Sequence, residues 1–471
     1  MRDRNIFLCL DAGTTRFKAA AIDSCGNVLA EKSTLYALRG EIHHEYEAED
    51  FILAMKETIR DIGAKLDLRK ISGIGISGHG PSLIPLDTDK NPLFPAVGYL
   101  DDRVKKYIRR LVNKREDIIT STMYIPIALF FKEECPTVYK KTSTFFQPFD
   151  YLCYRITGVK CTTSSSSGIK PWSTEKIVKA GLDPDKFPPI VYMGEQIGKT
   201  NYNAMELFGI PEDVSVYAVG VDFAAALIGT NSLYKGRSCE RAGSSGGINL
   251  CWDHSISDNR LLCYPHLTRG HWNIAGITST YGKAIEWAKD VFRDEVTGKG
   301  VEVTIDENSQ QKPPILFFPY LKGERSPLWN PDARGVFFGL TITHNRKDML
   351  RAVYTGVAFS IRDCMEIIRE HGARFIYPVV TTGGLANNDW FTQLKSDVTG
   401  LPFTITQLKD AELLGIATIL SRASGLYPDL QTATRNIVKE GKIFEPRKDM
   451  HKYYSELFAR YKELQEKIFP P

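Results

Sequence analysis

Two stretches of this chain share one pattern, and no other feature restricts the fold as much. The apolar run Ile6-Phe-Leu-Cys-Leu10 stops at Asp11, passes through Ala12-Gly-Thr-Thr15 and resumes at Ala19-Ala-Ala-Ile22. Arg237-Ser-Cys-Glu-Arg-Ala-Gly-Ser-Ser-Gly-Gly247 opens in the same way, a strand-like run entering a turn of glycine and serine. Each reads as strand, glycine turn, strand. With 471 residues the chain is too long for one typical core, and the repeated opening suggests one such hairpin per domain. The boundary is expected between Asn231 and Gly236, which divides the chain into residues 1–234 and 235–471.

The first turn carries groups with chemical use. A carboxylate at the end of a buried strand is costly without a partner, and a metal ion is one such partner for Asp11. Gly13 lets the backbone turn tightly, while Thr14 and Thr15 offer hydroxyls and amides to anionic oxygens. A plain hairpin in which Asp11 caps the bend explains the same residues. At the second turn, Gly243, Ser244 and Ser245 read either as a phosphate-facing loop or as an ordinary Gly-Ser hairpin.

Composition narrows the partners. The formal charge is +4 with no long run of one sign, so neither nucleic acid nor an anionic membrane is implied. Nine scattered cysteines form no CxxC pair, which fits reduced thiols and a cytoplasmic location. The charged start is too short and mixed to read as a signal peptide, and no apolar run reaches membrane-spanning length.

Between the two hairpins the chain alternates strands and helices. Phe51 to Ile62 has helical apolar spacing, and Ile71 to Ile76 reads as a strand. The turn Ser77-Gly-His-Gly-Pro-Ser82 sits at that strand's end, where α/β sheets make ligand contacts. His79 and Gly80 are candidates there, although a lone histidine is more often structural. Asp102 and Arg103 could orient a polyhydroxylated ligand, or form a surface ion pair. Arg103 to Glu116 reads as a basic, solvated helix, and Cys161 to Gly168 as a polar loop. In Val214 to Gly229 a β-rich run meets an alanine-rich helix at Asp222, where the helix dipole favours an ionised carboxylate acting as cap or base.

In the second half, Pro319 to Gly339 is an ordered excursion rich in turn formers. Asp348 to Arg369 reads as a long amphipathic helix. Phe375 to Val380 is an apolar strand, and Thr381 to Asp389 turns from it into a helix at Trp390 to Val398. Gly383 and Gly384 admit a flat ligand close to backbone, and Asn387 or Asn388 could hydrogen-bond it. Capping by Asn388 is the alternative. Helices at Ala411 to Leu420 and Met450 to Ile468 follow.

Taken in order, Asp11-Ala-Gly-Thr-Thr15, Gly220-Val-Asp222, Gly323-Glu-Arg-Ser-Pro327 with Asp332-Ala-Arg-Gly335 and Phe337-Phe-Gly-Leu340, and Gly383-Gly384 with Ser396-Asp-Val-Thr-Gly-Leu-Pro402 resemble the FGGY family of carbohydrate kinases over nearly the whole chain. The resemblance implies an α/β fold of two actin-like (ribonuclease H-like) ATPase domains with a cleft between them. It implies ATP and Mg2+ as cofactors, a small sugar as partner, and allows a homodimer. The N-terminal domain would carry the sugar site and base, the C-terminal domain the nucleotide. Asp11 would match the aspartate near magnesium, and Thr14 and Thr15 would lie near the transferring phosphate. Asp222 would match the general base. Gly243, Ser244 and Ser245 would match the second phosphate loop, and Gly383, Gly384 and Asn387 would border the nucleotide.

Departures from the family pattern bear on the substrate. Thr355 stands where relatives usually carry an acidic or amide side chain. Gly80-Pro81 falls where xylulokinases have Met-His and glycerol kinases Arg-Glu. Rhamnulokinases and fuculokinases share the glycine, but their nearby aspartate falls on Ser82. The 323–339 excursion is closest to gluconokinases and xylulokinases. The expected activity is phosphorylation of a ketose such as a pentulose or deoxyhexulose, with gluconate or a polyol as alternative. A non-catalytic actin-fold nucleotide-binding regulator is the reading from another class, and a chaperone-type ATPase the third.

Overall fold

From Phe7 to Ala12 the opening strand has no exposed residue, as its unbroken apolar run before Asp11 requires. In the computed structural model, which describes residues 5–36, 45–98, 101–112, 121–166, 170–293 and 313–470, this Ile6–Ala12 strand pairs antiparallel with Arg16–Asp23 and parallel with Ile71–Gly78. It belongs to a six-stranded sheet in the order Gln196–Lys199, Ser215–Val221, Ile71–Gly78, Ile6–Ala12, Arg16–Asp23, Val28–Leu35. The helix Ala48–Gly63 turns Phe51, Met55, Ile59 and Ile62 into the core beside this sheet. A four-stranded sheet of Glu45–Tyr46, Ala96–Gly98, Ser82–Leu86 and Thr144–Phe146 extends the same unit.

The second hairpin founds a second sheet on the same plan. Ser238–Ala242 pairs antiparallel with Gly246–Trp252 and parallel with Val379–Thr382. Phe403–Thr406 continues in parallel and Glu440–Phe444 closes that edge in antiparallel, as Ser215–Val221 and Gln196–Lys199 do in the first sheet. On the other side Trp272–Thr278 and Leu262–Pro265 bring the total to seven strands. The 25-residue helix Arg346–Glu370 packs Leu350, Val357 and Ile361 into this core, and its start is fixed by a capping box between Asn345 and Asp348.

The chain divides into two compact units, Met1–Gly229 with Ala411–Lys439, and Thr230–Asp410 with Glu440–Pro471. The break expected after residue 234 therefore falls at Gly229, and the segment Ala411–Lys439 belongs to the first unit rather than the second. The reason is a helix contact that sequence spacing does not show. Asp222–Gly229 lies against Ala411–Ala423 so closely that a Cβ on Gly229 would sit 1.7 Å from the Ala411 carbonyl oxygen, and one on Gly415 1.9 Å from that of Ala225.

Other departures are local. The polar stretch from Cys161 contains a strand, Thr162–Ser164, which pairs with Ile190–Tyr192, so it is not simply a loop; residues 167–169 lie outside the described residues. The strand expected from Phe375 begins at Val379, after Pro378, whose nitrogen has no proton to give a ladder. The basic helix spans Lys105–Val112; residues 113–120 lie outside the described residues. No helix among the described residues is long and apolar enough to cross a membrane. All nine cysteines are free thiols.

Candidate active site

Strand register puts a basic and a hydroxyl side chain on Asp11. Lys18 faces it across the hairpin and Ser77 across the parallel pair. Ser77 Oγ donates to Asp11 Oδ1 at 2.7 Å and Lys18 Nζ lies 3.7 Å from Oδ2, around a carboxylate that is 2% exposed. Thr14 and Thr15 are half-buried in the adjoining turn, and Gly13 is tight enough that a Cβ there would lie 3.0 Å from the Arg16 carbonyl oxygen.

Asp222 is the first residue of the helix Asp222–Gly229, at the end of the Ser215–Val221 strand. Its neighbours Val221 and Phe223 line a cavity of about 440 Å3, counted out to its open mouth. Pro81 and Pro171 complete the apolar wall, and Gly80 also lines it. A Cβ on Gly80 would stand 2.8 Å from the Tyr124 hydroxyl, so glycine there is what lets the phenol reach the wall. The polar side consists of Tyr124, Gln147, Thr163, Ser164 and Ser165.

Behind the polar side lies a buried carboxylate. Asp150 accepts from Thr163 N and Oγ1 at 2.9 Å each, from Thr162 Oγ1 at 2.5 Å and from Gln147 Nε2 at 2.8 Å. Burial pushes it up to about 6 while these hydrogen bonds pull it down. Gln147 Oε1 accepts from the Tyr124 hydroxyl. Burial, and then the charges of Asp150 and Asp222, raise the Tyr124 pKa well above its usual range, which keeps the phenol protonated.

The second unit gathers two glycine turns. A Cβ on Gly383, whose φ is +97°, would stand 3.0 Å from the Ala242 carbonyl oxygen and 3.3 Å from Gly243 N, so only glycine suits this approach. Gly384 and Asn387 are exposed in the short helical turn that follows, while Asn388 caps Asp389–Thr399 by accepting from Phe391 N at 3.0 Å. The Gly243–Ser245 turn is held from below. Gly282 N donates to Gly243 O at 3.0 Å and Lys283 N to Ser244 O at 3.1 Å. Glu240, just before the turn, pairs with buried Lys395 at 2.6 Å and accepts from Tyr281 and Thr381.

Of the residues singled out from sequence, Asp11 shares one hairpin with Thr14 and Thr15, Gly80 lines the cavity together with the chain neighbours of Asp222, Val221 and Phe223, and Gly243 lies against Gly383. Three others lie elsewhere. His79 is buried against Tyr46 and Phe51, with ring centroids 4.8 and 6.0 Å away, and does not line the cavity. Asp102 pairs with Lys105 at 2.6 Å on the surface, the ion-pair alternative. Arg103 bonds Asp101 Oδ1 through Nε at 2.9 Å, pairs with Glu45, and stacks over Phe130. Sequence reasoning missed Lys18, Tyr124, Gln147, Asp150 and Ser165. Lys18 was available from hairpin counting; the others come together only through tertiary structure.

Comparison with known proteins agrees with this architecture. The N-terminal domain model of the FGGY family of carbohydrate kinases matches residues 6–229, and its C-terminal domain model matches residues 249–424. The xylulose kinase of Bacillus subtilis is 28% identical over 97% of this chain and 95% of its own length. A gluconokinase of the same organism is 26% identical over 89% of this chain and 87% of its own. The crystal structure of gluconate kinase from Lactobacillus acidophilus superposes with a TM-score of 0.84 over 99% of both chains at 23% identity, which shows the two-domain actin-like fold. The chain belongs to the FGGY family of carbohydrate kinases, phosphotransferases that act on sugar hydroxyls.

Proposed function

We propose that this enzyme phosphorylates a small ketose or related polyol, with Asp222 as the general base. The observation that carries this reading is the position of Asp222 at a helix start, with both chain neighbours in the wall of an open, partly polar cavity. The helix dipole and free N–H groups favour its charged form, so it can accept a hydroxyl proton as the new bond forms. The first unit then supplies the acceptor side and the second the nucleotide side, through the Gly243–Ser245 and Gly383–Asn387 turns.

Asp11 fits a magnesium ion, which keeps several waters and takes one or two carboxylates. When bound with ATP, the ion supplies charge neutralisation at the phosphates. The chain's own contribution is to orient the Asp11 carboxylate through Ser77 and Lys18, and to present amides and hydroxyls of Thr14 and Thr15 beside it. Reduced thiols and the absence of a spanning helix among the described residues support a cytoplasmic site of action.

The test is a coupled ADP-release assay over ketopentoses, deoxyketohexoses, polyols and aldonates. Acceptor-dependent ADP that disappears in Asp222→Asn supports the reading. Clear nucleotide binding with no acceptor-dependent ADP would overturn it.

A further inference from the structure

The polar side of the cavity has a fixed hydrogen-bond polarity, and its source is Asp150. Both of its oxygens accept, from Thr163 N, Thr163 Oγ1, Thr162 Oγ1 and Gln147 Nε2, so every one of these groups donates. That condition orients Gln147. Its amide nitrogen spends its two protons on Asp150 Oδ2 and Thr162 Oγ1, both at 2.8 Å, and its carbonyl oxygen is therefore the end turned toward Tyr124. The reversed amide would set Oε1 against the carboxylate, two acceptors in contact. Tyr124 spends its proton on Gln147 Oε1, and Thr163 spends its hydroxyl proton on Asp150 Oδ1. The wall thus keeps lone pairs and has few protons left to give.

A second observation points to a ligand at this wall. Ser165 is 7% exposed, lines the cavity, and its Oγ has no hydrogen-bond partner. An orphaned buried hydroxyl is costly, and a ligand hydroxyl that both donates and accepts would satisfy it. None of the described lining residues carries a positive charge. Among the described lining residues, a ligand carboxylate would be desolvated with one orphaned hydroxyl to bond it and no cation to pair it. On the opposite side, Pro81, Val221 and Phe223 offer only apolar surface.

Building on the kinase reading above, we propose that the Gln147–Tyr124 pair and Ser165 form an acceptor subsite selective for uncharged, hydroxyl-donating sugars. Asp150 is the positioning residue that fixes its polarity. Sugar acids are excluded, and the apolar wall takes a carbon-rich edge of the acceptor. This separates the chain's substrate class from that of the gluconate-named relatives, to which it is nearly as similar in sequence as to the xylulose-named ones.

The test is ADP release by the full-length enzyme with matched acceptors of equal carbon number, an aldonate against the corresponding ketose and polyol. Expected is a kcat/KM at least about 100-fold lower for the aldonate. In Asp150→Asn, the KM for the neutral acceptor should rise about tenfold with kcat little changed, and the preference over the aldonate should shrink. Tyr124→Phe, which keeps the ring against Trp172 at 5.7 Å, should raise the same KM without improving the aldonate, and it covers the case in which Asp150→Asn does not fold. An aldonate used as well as its neutral partner overturns the subsite while leaving the kinase standing. Unchanged KM and preference in the folded variants overturn the roles of Asp150 and Tyr124. No acceptor-dependent ADP with any compound overturns both readings.

Discussion

Lys18 Nζ lies 3.7 Å from Oδ2 of Asp11, and the two residues face each other in the register of one hairpin. With Ser77 on the other neighbouring strand, the carboxylate is held from both sides of its own strand. Lys18→Met would leave the carboxylate buried without this ion pair. The expected loss is about 1–3 kcal/mol of stability, read as a lower urea midpoint at neutral pH. A midpoint equal to wild type would mean that Lys18 does not compensate the buried charge.

Asp222→Asn keeps the shape but removes the proton acceptor. Turnover should fall by about 10²–10⁴-fold with little change in acceptor KM. Isothermal titration with the acceptor separates this from a loss of binding. Retention of near-normal turnover would exclude Asp222 as the base.

Gly415→Ala should be one of the costliest single-methyl changes in the chain. The added Cβ would meet backbone, the Ala225 carbonyl oxygen at 1.9 Å, and backbone cannot rotate aside as a side chain can. The helices Asp222–Gly229 and Ala411–Ala423 would have to separate, at a cost of about 1–3 kcal/mol or more. Because Asp222 opens one of them, the variant should also lose activity at temperatures where it is still folded. A thermal melt and an activity assay on the same sample check both.

Stability should depend on pH through Glu324. The carboxyl is 3% exposed; Oε1 accepts from Ser279 N at 2.6 Å and Arg325 N at 2.7 Å, and Oε2 has no hydrogen-bond partner. Burial pushes its pKa up to about 7, from an ordinary value of 4.5. The folded state therefore holds this proton more tightly than the unfolded chain. Its contribution is present in full below about pH 4.5, is lost as pH rises to about 7, and is level above that. Glu324→Gln should flatten that slope in urea midpoints taken across the window. His79 works in the opposite sense: burial lowers it to about 4, so its contribution is lost as pH falls from 6.5 toward 4.

What could be read from the sequence was whatever depends on neighbours along the chain. The hairpin at Asp11, the helix start at Asp222 and the turn at Gly383 are strand-and-turn patterns with special backbone demands, and each lies where spacing put it. Gly80 and Pro81, in the loop that the sequence marks for substrate contacts, line the cavity. Its chemistry was hidden, because Tyr124, Gln147 and Ser165 reach it from a helix, a helix cap and a loop far apart in sequence. His79 stands off the cavity for a related reason. Its ring is drawn into an aromatic cluster with Tyr46 and Phe51, two residues whose proximity no local pattern encodes.

The first unit takes its Ala411–Ala423 helix from beyond nearly the whole of the second unit's sequence. Leu413, Leu414 and Ile416 of that helix are buried, and Gly229 and Gly415 have no Cβ so that it can come close. During synthesis from the N-terminus, residues 1–229 would thus emerge well before their own last layer exists. Half of this protein waits, with an uncovered surface, for a segment still to be made, while the later unit has most of its sequence in hand first. A fragment cut at the apparent midpoint of the chain would inherit that gap permanently, and completing it requires restoring residues 411–439 rather than extending the cut end.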